Sequence, residues 1–315
     1  MSRRRKARTA PTTPATAHRV ALAAAAMACL LTATACADEN PRTTGSEQAA
    51  SRPLGDKERE LLHDTEQDLL RQCMRQEGFR LWKVPLEPVP EQREFPYVVD
   101  DVKWAREHGY GSDIRQRAER LRAEDPNRRY FEGLSTERRA AAKAALHGRD
   151  RSGGPSVTLP GGGVVRRSGD GCTAQAQTRL YGDFARWFRT KTFTDNLTGL
   201  RMARVTSEPA FRKAVKDWSS CMRGKGHAYD DPGQARRAFS TPEAGKAAGG
   251  DRSAEVGTAA AEAECARAGG LSEVAERLHR RHGERLRAEY REQVNERLRL
   301  EHAALLRVRA LSSSR

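Results

Sequence analysis

Apolar residues recur along most of this chain at helical rather than alternating spacing. From Asp56 onward, Leu61, Leu62, Leu69 and Leu70 mark one face of a helix that Gly78 is placed to stop. Residues 81–96 hold Pro85, Pro88, Pro90 and Pro96 and predict extended loop, because proline removes a donor and restricts the residue before it. Short helices are expected over 100–107 and 113–123, on either side of His108-Gly109-Tyr110-Gly111. Ser135 caps another that runs through His147 to Gly148. Val157-Thr158-Leu159 and Val164-Val165 flank Pro160-Gly161-Gly162-Gly163, which reads as a small hairpin. A helix follows over 173–188. The next starts at Ser207-Glu208-Pro209, with Ser207 as cap and Pro209 in the first turn, and reaches Gly224. Residues 230–252 read as loop. From Ala254 the chain is helical nearly to its end, broken at Gly269-Gly270, with Ser272 capping one long final helix. There Val274, Leu278, Leu286, Tyr290, Val294 and Leu298 lie multiples of four apart, so the apolar stripe drifts around the surface. Glu273 with Arg277 and Glu276 with Arg280 supply supporting i,i+4 pairs. The expected fold class is mainly α: a disulfide-stapled helical domain with a small β-hairpin and a long C-terminal helix.

The N-terminus has a different pattern. Arg3, Arg4, Arg5, Lys6 and Arg8 precede an apolar, Ala-rich run over residues 20–35, which is the order of an export signal. Its last residues, Ala33-Thr34-Ala35-Cys36, resemble the lipobox of bacterial lipoproteins, with Ala33 in place of the usual Leu. The resemblance implies removal of residues 1–35 and acylation of Cys36, whose thiol forms a thioether with lipid. Two or three acyl chains hold a protein on a bilayer stably, where one does not. The alternative is an ordinary secretory signal cut near Ala35, which releases a secreted protein. The run is shorter than the ~20 apolar residues of a membrane span. Lys6 and Ala7, not a bulky apolar pair, follow the arginine cluster, which argues against a twin-arginine signal. Residues 36–54 are then the lipidated cysteine and a polar tether. Residues 55–315 form the extracytoplasmic domain, divisible into disulfide-closed halves 55–190 and 191–315.

Charge narrows the partners. The chain carries +15, and the leader holds six basic and no acidic side chains, leaving +9 after cleavage. Outside the cytoplasmic membrane, such an excess favours anionic wall polymer or lipid headgroups, or an envelope protein, over nucleic acid. Glu interleaved with Arg along the final helix also weakens phosphate attraction and fits a solvated helical face. High Ala, Arg and Glu favour helix, and few aromatics leave a lean interior that crosslinks would help.

Cys73, Cys172, Cys221 and Cys265 are even in number, which outside the cytoplasm argues for disulfides. Two of them share a context, C-M-R-x-x-G, at Cys73 to Gly78 and Cys221 to Gly226, each in the last turn of an expected helix. Of three possible pairings the repeat favours Cys73 with Cys172 and Cys221 with Cys265. A metal site is the rival, but no spacing is of the short C-x-x-C kind.

These segments resemble a group of uncharacterised actinobacterial lipoproteins or secreted proteins. The landmarks are the motif at Cys73, the His108-Gly109-Tyr110-Gly111 turn, Tyr130 to Leu134, and Gly171-Cys172 with Leu180-Tyr181-Gly182. Trp218-Ser219-Ser220-Cys221-Met222 and Ala263-Glu264-Cys265 continue the series, so the resemblance spans nearly the whole mature chain. It implies export and paired cysteines and carries no activity.

No nucleophile elbow, zincin helix, Walker loop or dinucleotide fingerprint is present in the sequence. His279 and His282 share a helix face, but Arg280 and Arg281 beside them would repel a metal ion. His108 near Asp100 and Asp101 reads as a packing residue. Trp82, Trp104, Trp187 and Trp218, with Tyr97, Tyr110, Tyr130 and Tyr181, read as core rather than a ligand groove. No cofactor, metal or catalytic residue is expected. The leading expectation is a lipid-anchored, non-enzymatic binding or envelope-structural protein on the outer face of the cell membrane. The alternative is an envelope hydrolase.

Overall fold

The computed structural model describes residues 52–241 and 251–313. The leader, Cys36 and most of the expected tether lie outside the described residues. The elements in chain order are α1 (Asp56–Gln76), α2 (Val102–His108), α3 (Ser112–Glu124), α4 (Pro126–Glu132), α5 (Thr136–His147), β1 (Ser156–Thr158) and β2 (Val164–Arg166). They continue with α6 (Cys172–Tyr181), α7 (Phe184–Asp195), α8 (Leu197–Ser207), α9 (Pro209–Gly224), α10 (Pro232–Arg237), α11 (Arg252–Ala268), α12 (Leu271–Glu289) and α13 (Arg291–Ser313). The fold is mainly helical, with one antiparallel hairpin that pairs Val157 with Val165.

The repeated C-M-R-x-x-G segment is a helix-ending device. At the end of α1, the Gly78 N–H donates to Arg75 O at 3.1 Å and the Phe79 N–H to Met74 O at 2.8 Å. At the end of α9, Gly226 and His227 repeat this toward Arg223 O and Met222 O at 3.0 and 2.9 Å. This is the Schellman pattern, and it needs a left-handed residue; Gly78 and Gly226 have φ of +78° and +87°. Met74 and Met222 have no exposed surface. Each motif therefore places a cysteine for crosslinking, a methionine in the core and a glycine at the reversal. Cys73 bonds Cys172 and Cys221 bonds Cys265, with Cα separations of 5.6 and 5.7 Å. The partner ends differ: Cys172 opens α6, while Cys265 lies in the last turn of α11.

Several helix boundaries depart from the expected ones. The segment expected as one helix over 173–188 breaks at Gly182, because the Asp183 carboxylate caps a new helix through the Arg186 N–H at 3.0 Å. Tyr181 and Trp187 stack across this corner at 3.6 Å between ring centres. Ser207 ends α8 instead of capping α9, and Gly270 rather than Ser272 precedes α12. The loop expected over 230–252 contains α10, capped by Asp231, and Pro126 opens the unanticipated α4 under an Asp125 cap. The final helix is two helices, α12 and α13, meeting at Tyr290. The expected tether ends early: Leu54 is buried against α13, and His302 Nε2 lies 2.9 Å from Arg52 O.

Two main cores explain the break at Tyr290. One is built on Trp218, Met222, Val99, Val205, Leu271 and Leu278. The other holds Leu62, Leu69, Met74, Leu180 and Trp187 and takes Leu300, Leu305 and Val308 from α13. A stripe that drifts cannot face one core over the full length, so α12 serves the first core and α13 returns to the second. Residues 98–110 make the opposite crossing, into the first core. The division into halves 55–190 and 191–315 therefore does not follow the packing. A third, small cluster of Phe184, Phe188 and Ala174 seats Val157 and Val165 of the hairpin.

The first core is clasped by carboxylates on α11. Ala259, Ala263 and Ala266 are fully buried, so α2 approaches closely and two glutamates reach past it. Glu262, with no exposed surface, accepts from the Val99 N–H at 2.8 Å and the Tyr110 hydroxyl at 2.6 Å. Glu255 accepts from the backbone N–H groups of Tyr110 and Ser112 at 2.9 and 3.2 Å, and from the Ser112 hydroxyl. A Cβ on Gly109 would fall 2.9 Å from the Glu255 side chain, so only glycine lets the turn close here. Arg252 donates to the last carbonyls of α2, Glu107 O and His108 O, at 2.8 and 3.2 Å.

Non-reduced peptide maps are expected to join Cys73 to Cys172 and Cys221 to Cys265. Loop-closure entropy sets ceilings of roughly 5 and 4 kcal/mol for these spans of 99 and 44 residues. Replacing Cys221 and Cys265 by Ser should lower the denaturation midpoint; an unchanged midpoint would contradict a stabilising crosslink. A second outcome concerns pH. Burial pushes the Glu262 carboxyl from about 4.5 up to about 7, against the opposing pull of the Tyr110 hydroxyl, the Val99 N–H and Arg236. Between those values the folded chain keeps a proton that the unfolded chain releases, so stability falls as pH rises through the window, by up to roughly 3 kcal/mol. Glu262→Gln imitates the neutral form. Its Tm should gain on the parent between pH 5 and pH 8, and parallel curves would refute the assignment.

Candidate functional site

The four cysteines predicted to pair are consumed in structural bonds, and Cys36 lies outside the described residues. The histidines turn to separate partners. His279 Nδ1 lies 2.9 Å from the Tyr97 hydroxyl, while His282 is buried with Nε2 2.7 Å from Glu208. His108 packs under the turn as expected, but its partner is Asp113 at 2.8 Å, not Asp100 or Asp101. Among the described residues no group of three or more His, Cys, Asp or Glu could hold a metal ion. Trp187, Trp218, Tyr110 and Tyr181 are core, whereas Trp82 is about one third exposed, with Tyr130 edge-on at 5.7 Å.

Glu255 and Glu262 are two buried carboxylates seven residues apart on α11. Their oxygens are occupied by backbone N–H groups and by the Tyr110 and Ser112 hydroxyls. That geometry positions a turn; it presents neither a nucleophile nor an exposed acid.

A different site forms where the helix corners meet. The α7–α8 corner at Asn196 and the α12–α13 corner at Tyr290 lie together, with Phe193 and Tyr290 edge-on at 5.2 Å. Arg204 of α8 pairs with Glu289 of α12 beside them at 2.8 Å. Between the corners and the start of α1 lies a pocket of about 340 Å³. Leu54, Leu197, Leu286, Val294 and Leu298 give it apolar walls, and Arg59, Arg201, Arg287 and Arg297 line it with charge.

The four arginines are not equivalent. Arg297 is spent on Glu301 at 2.8 Å, Asp195 at 2.6 Å and the Thr194 hydroxyl at 3.0 Å. Burial raises the Asp195 carboxyl, but Lys191 and Arg297 outweigh it and hold the group below its ordinary value. Arg59 is spent on the Leu54 carbonyl at 2.6 Å and on Asp56. Arg201 and Arg287 enter no ion pair among the described residues, and the buried Nε of Arg201 has no hydrogen-bond partner. Arg201 lies across α12 because residue 283 is glycine: a Cβ there would stand 3.1 Å from its Nη1. The uncompensated charge of the pocket thus resides on two arginines, one of them half-buried over an apolar floor. A group with this preference is an anion carrying an apolar portion.

Sequence reasoning missed this pocket, since its residues come from five segments. The visible signal was Gly283, an isolated glycine inside a helical run, which marks a close approach. In comparisons with known proteins, the chain matches no family model, no curated protein and no solved structure.

Proposed function

We propose that this chain is a lipid-anchored, non-enzymatic binding protein of the extracytoplasmic membrane face, and that its corner pocket receives an anionic lipid headgroup. Two disulfides point to an oxidising setting outside the cytoplasm. No helix among the described residues is long and apolar enough to cross a membrane. Attachment then falls to Cys36 at the end of the export signal, in keeping with the resemblance to actinobacterial lipoproteins.

The observation that carries the ligand class is the pairing of uncompensated Arg201 and Arg287 with apolar walls in one pocket. A phospholipid supplies both a phosphate in its headgroup and, beyond the glycerol, the start of an acyl chain. The pocket also includes Pro53 and Leu54, the point where the chain arrives from Cys36. Those 17 intervening residues span at most about 60 Å, so a lipid-attached chain keeps this pocket near the bilayer.

Radiolabelled palmitate should enter the parent and not Cys36→Ser; equal labelling would remove the anchor from the reading. For the ligand, dioctanoyl phosphatidylglycerol is expected to bind the full chain, and dioctanoyl phosphatidylcholine to bind at least about tenfold more weakly. Arg201→Gln with Arg287→Gln should erase most of that preference without shifting Tm by more than a few degrees. Equal affinity for the two lipids, or an unchanged preference in the double variant, would overturn the assignment.

A further inference from the structure

The β1–β2 hairpin carries a surface that neither main core uses. Val157 and Val165 pair across it and pack toward Phe184 and Phe188, so Ser156, Thr158, Val164 and Arg166 face outward. Glycines bring the chain before the hairpin against the chain after it. A Cβ on Gly154 would overlap the Arg167 carbonyl oxygen, and one on Gly171 would overlap Gly148 N. The Arg167 N–H donates to Pro155 O at 3.1 Å, and the Ser168 hydroxyl donates to Asp150 O. Arg149 and Arg151 are thereby drawn beside Arg166 and Arg167. Arg189 of α7 joins them, with its Nε donating to Ser156 O at 3.2 Å, and Lys143 lies one turn before the end of α5.

These six cations enter no ion pair among the described residues. Arg166 Nη1 and Arg189 Nε meet neutral carbonyls, the first being Ser152 O at 2.8 Å, so both groups are held without losing their charge. Two carboxylates stand among them. Asp150 accepts from the Ser152 N–H and hydroxyl, each at 2.7 Å. Asp170 accepts from the Ser168 hydroxyl and from the Arg149 N–H at 3.3 Å, and the Arg149 charge acts on it last and least. Six positive groups against two negative ones leave this face at +4. His147, at the end of α5, registers the excess. Loss of water, then Arg167, Arg151 and Lys143, push its imidazole below the ordinary value, and no carboxylate opposes them.

We propose that this hairpin face binds an extended phosphate polymer of the cell wall, its phosphates on the arginines that the glycine contacts bring together. A positive face of this kind attracts polyanions. Guanidinium forks match phosphate oxygens, and the outward Ser156 and Thr158 hydroxyls add neutral donors. Other anionic surfaces fit less well. Val164 is the one exposed large apolar side chain here, and the turn before it is Gly161-Gly162-Gly163, which leaves little to wedge into a bilayer. None of the outward or cationic residues is aromatic, so a nucleic-acid base has no ring to stack on. This surface is separate from the corner pocket and does not rest on that reading.

The test is binding of the full chain to inorganic polyphosphate across a salt series. Saturable binding is expected, at least about tenfold tighter than inorganic phosphate at equal phosphate concentration, because a chain engages several cations at once. Arg151→Gln with Arg167→Gln should weaken it by at least about tenfold and lower the slope of log K against log salt by about 1.5. That pair should leave dioctanoyl phosphatidylglycerol affinity as it is. Conversely, Arg201→Gln with Arg287→Gln should bind polyphosphate as the parent does. An oligothymidylate with the same number of phosphates should bind no tighter than polyphosphate. Should the hairpin variant unfold, the parent still decides: bound polyphosphate offsets the cations beside His147, so the imidazole pKa followed by NMR should rise. No saturable binding, parental affinity in a folded hairpin variant, loss of binding in the corner-pocket variant, tighter binding of the oligothymidylate, or an unmoved His147 would each overturn the proposal.

Discussion

The helix Arg252–Ala268 holds the first core by three kinds of bond at once. Its Cys265 is covalently joined to Cys221. Its Glu262 and Glu255 receive the backbone N–H groups of Val99, Tyr110 and Ser112. Its alanines let Trp218 and the 102–108 helix pack against the backbone, and the Trp218 indole N–H donates to Glu262 O at 3.3 Å. A carboxylate with no exposed surface survives only where donors replace water, and here those donors belong to a segment distant in sequence. The clasp therefore decides where residues 98–112 lie.

The same scarcity of large apolar side chains shapes the second core. It is closed by Cys73 with Cys172 and by the return of the last helix, whose Leu300, Leu305 and Val308 cover Leu62, Leu69 and Trp187. Because both ends of the described chain, Leu54 and Val308, enter this core, the point of arrival from the N-terminus is fixed against the C-terminal helix. The corner pocket is a product of that arrangement. Its residues meet only because the 291–313 helix turns back at Tyr290, placing Arg297 and Leu298 beside Arg201 and Leu54.

Arg201 and Arg287 at the corner pocket enter no ion pair among the described residues. Arg297 in the same pocket, and Arg204, Arg252 and Arg281 outside it, are matched to carboxylates or backbone carbonyls, as interleaved Arg and Glu on helices lead one to expect. Arg201 is half-buried over apolar walls instead, where an anion is held more tightly than at an exposed site because less solvent screens it.

Features under local rules were legible in the residues alone. The 3.6-residue period gave the helices, Pro and Gly gave the breaks, and the repeated C-M-R-x-x-G segment gave two identical helix ends and the disulfide pairing that follows from them. The pattern misplaced the corner at Tyr290, because helical propensity continues through it and only the need to face different cores ends the helix there, and it passed over the local stop at Gly182 with its Asp183 cap. Tertiary structure alone decided that the cores interleave, that His282 is buried on Glu208, and which arginines remain unmatched. These depend on which distant side chains meet, and the spacing of residues along one helix carries no record of its neighbours' charges.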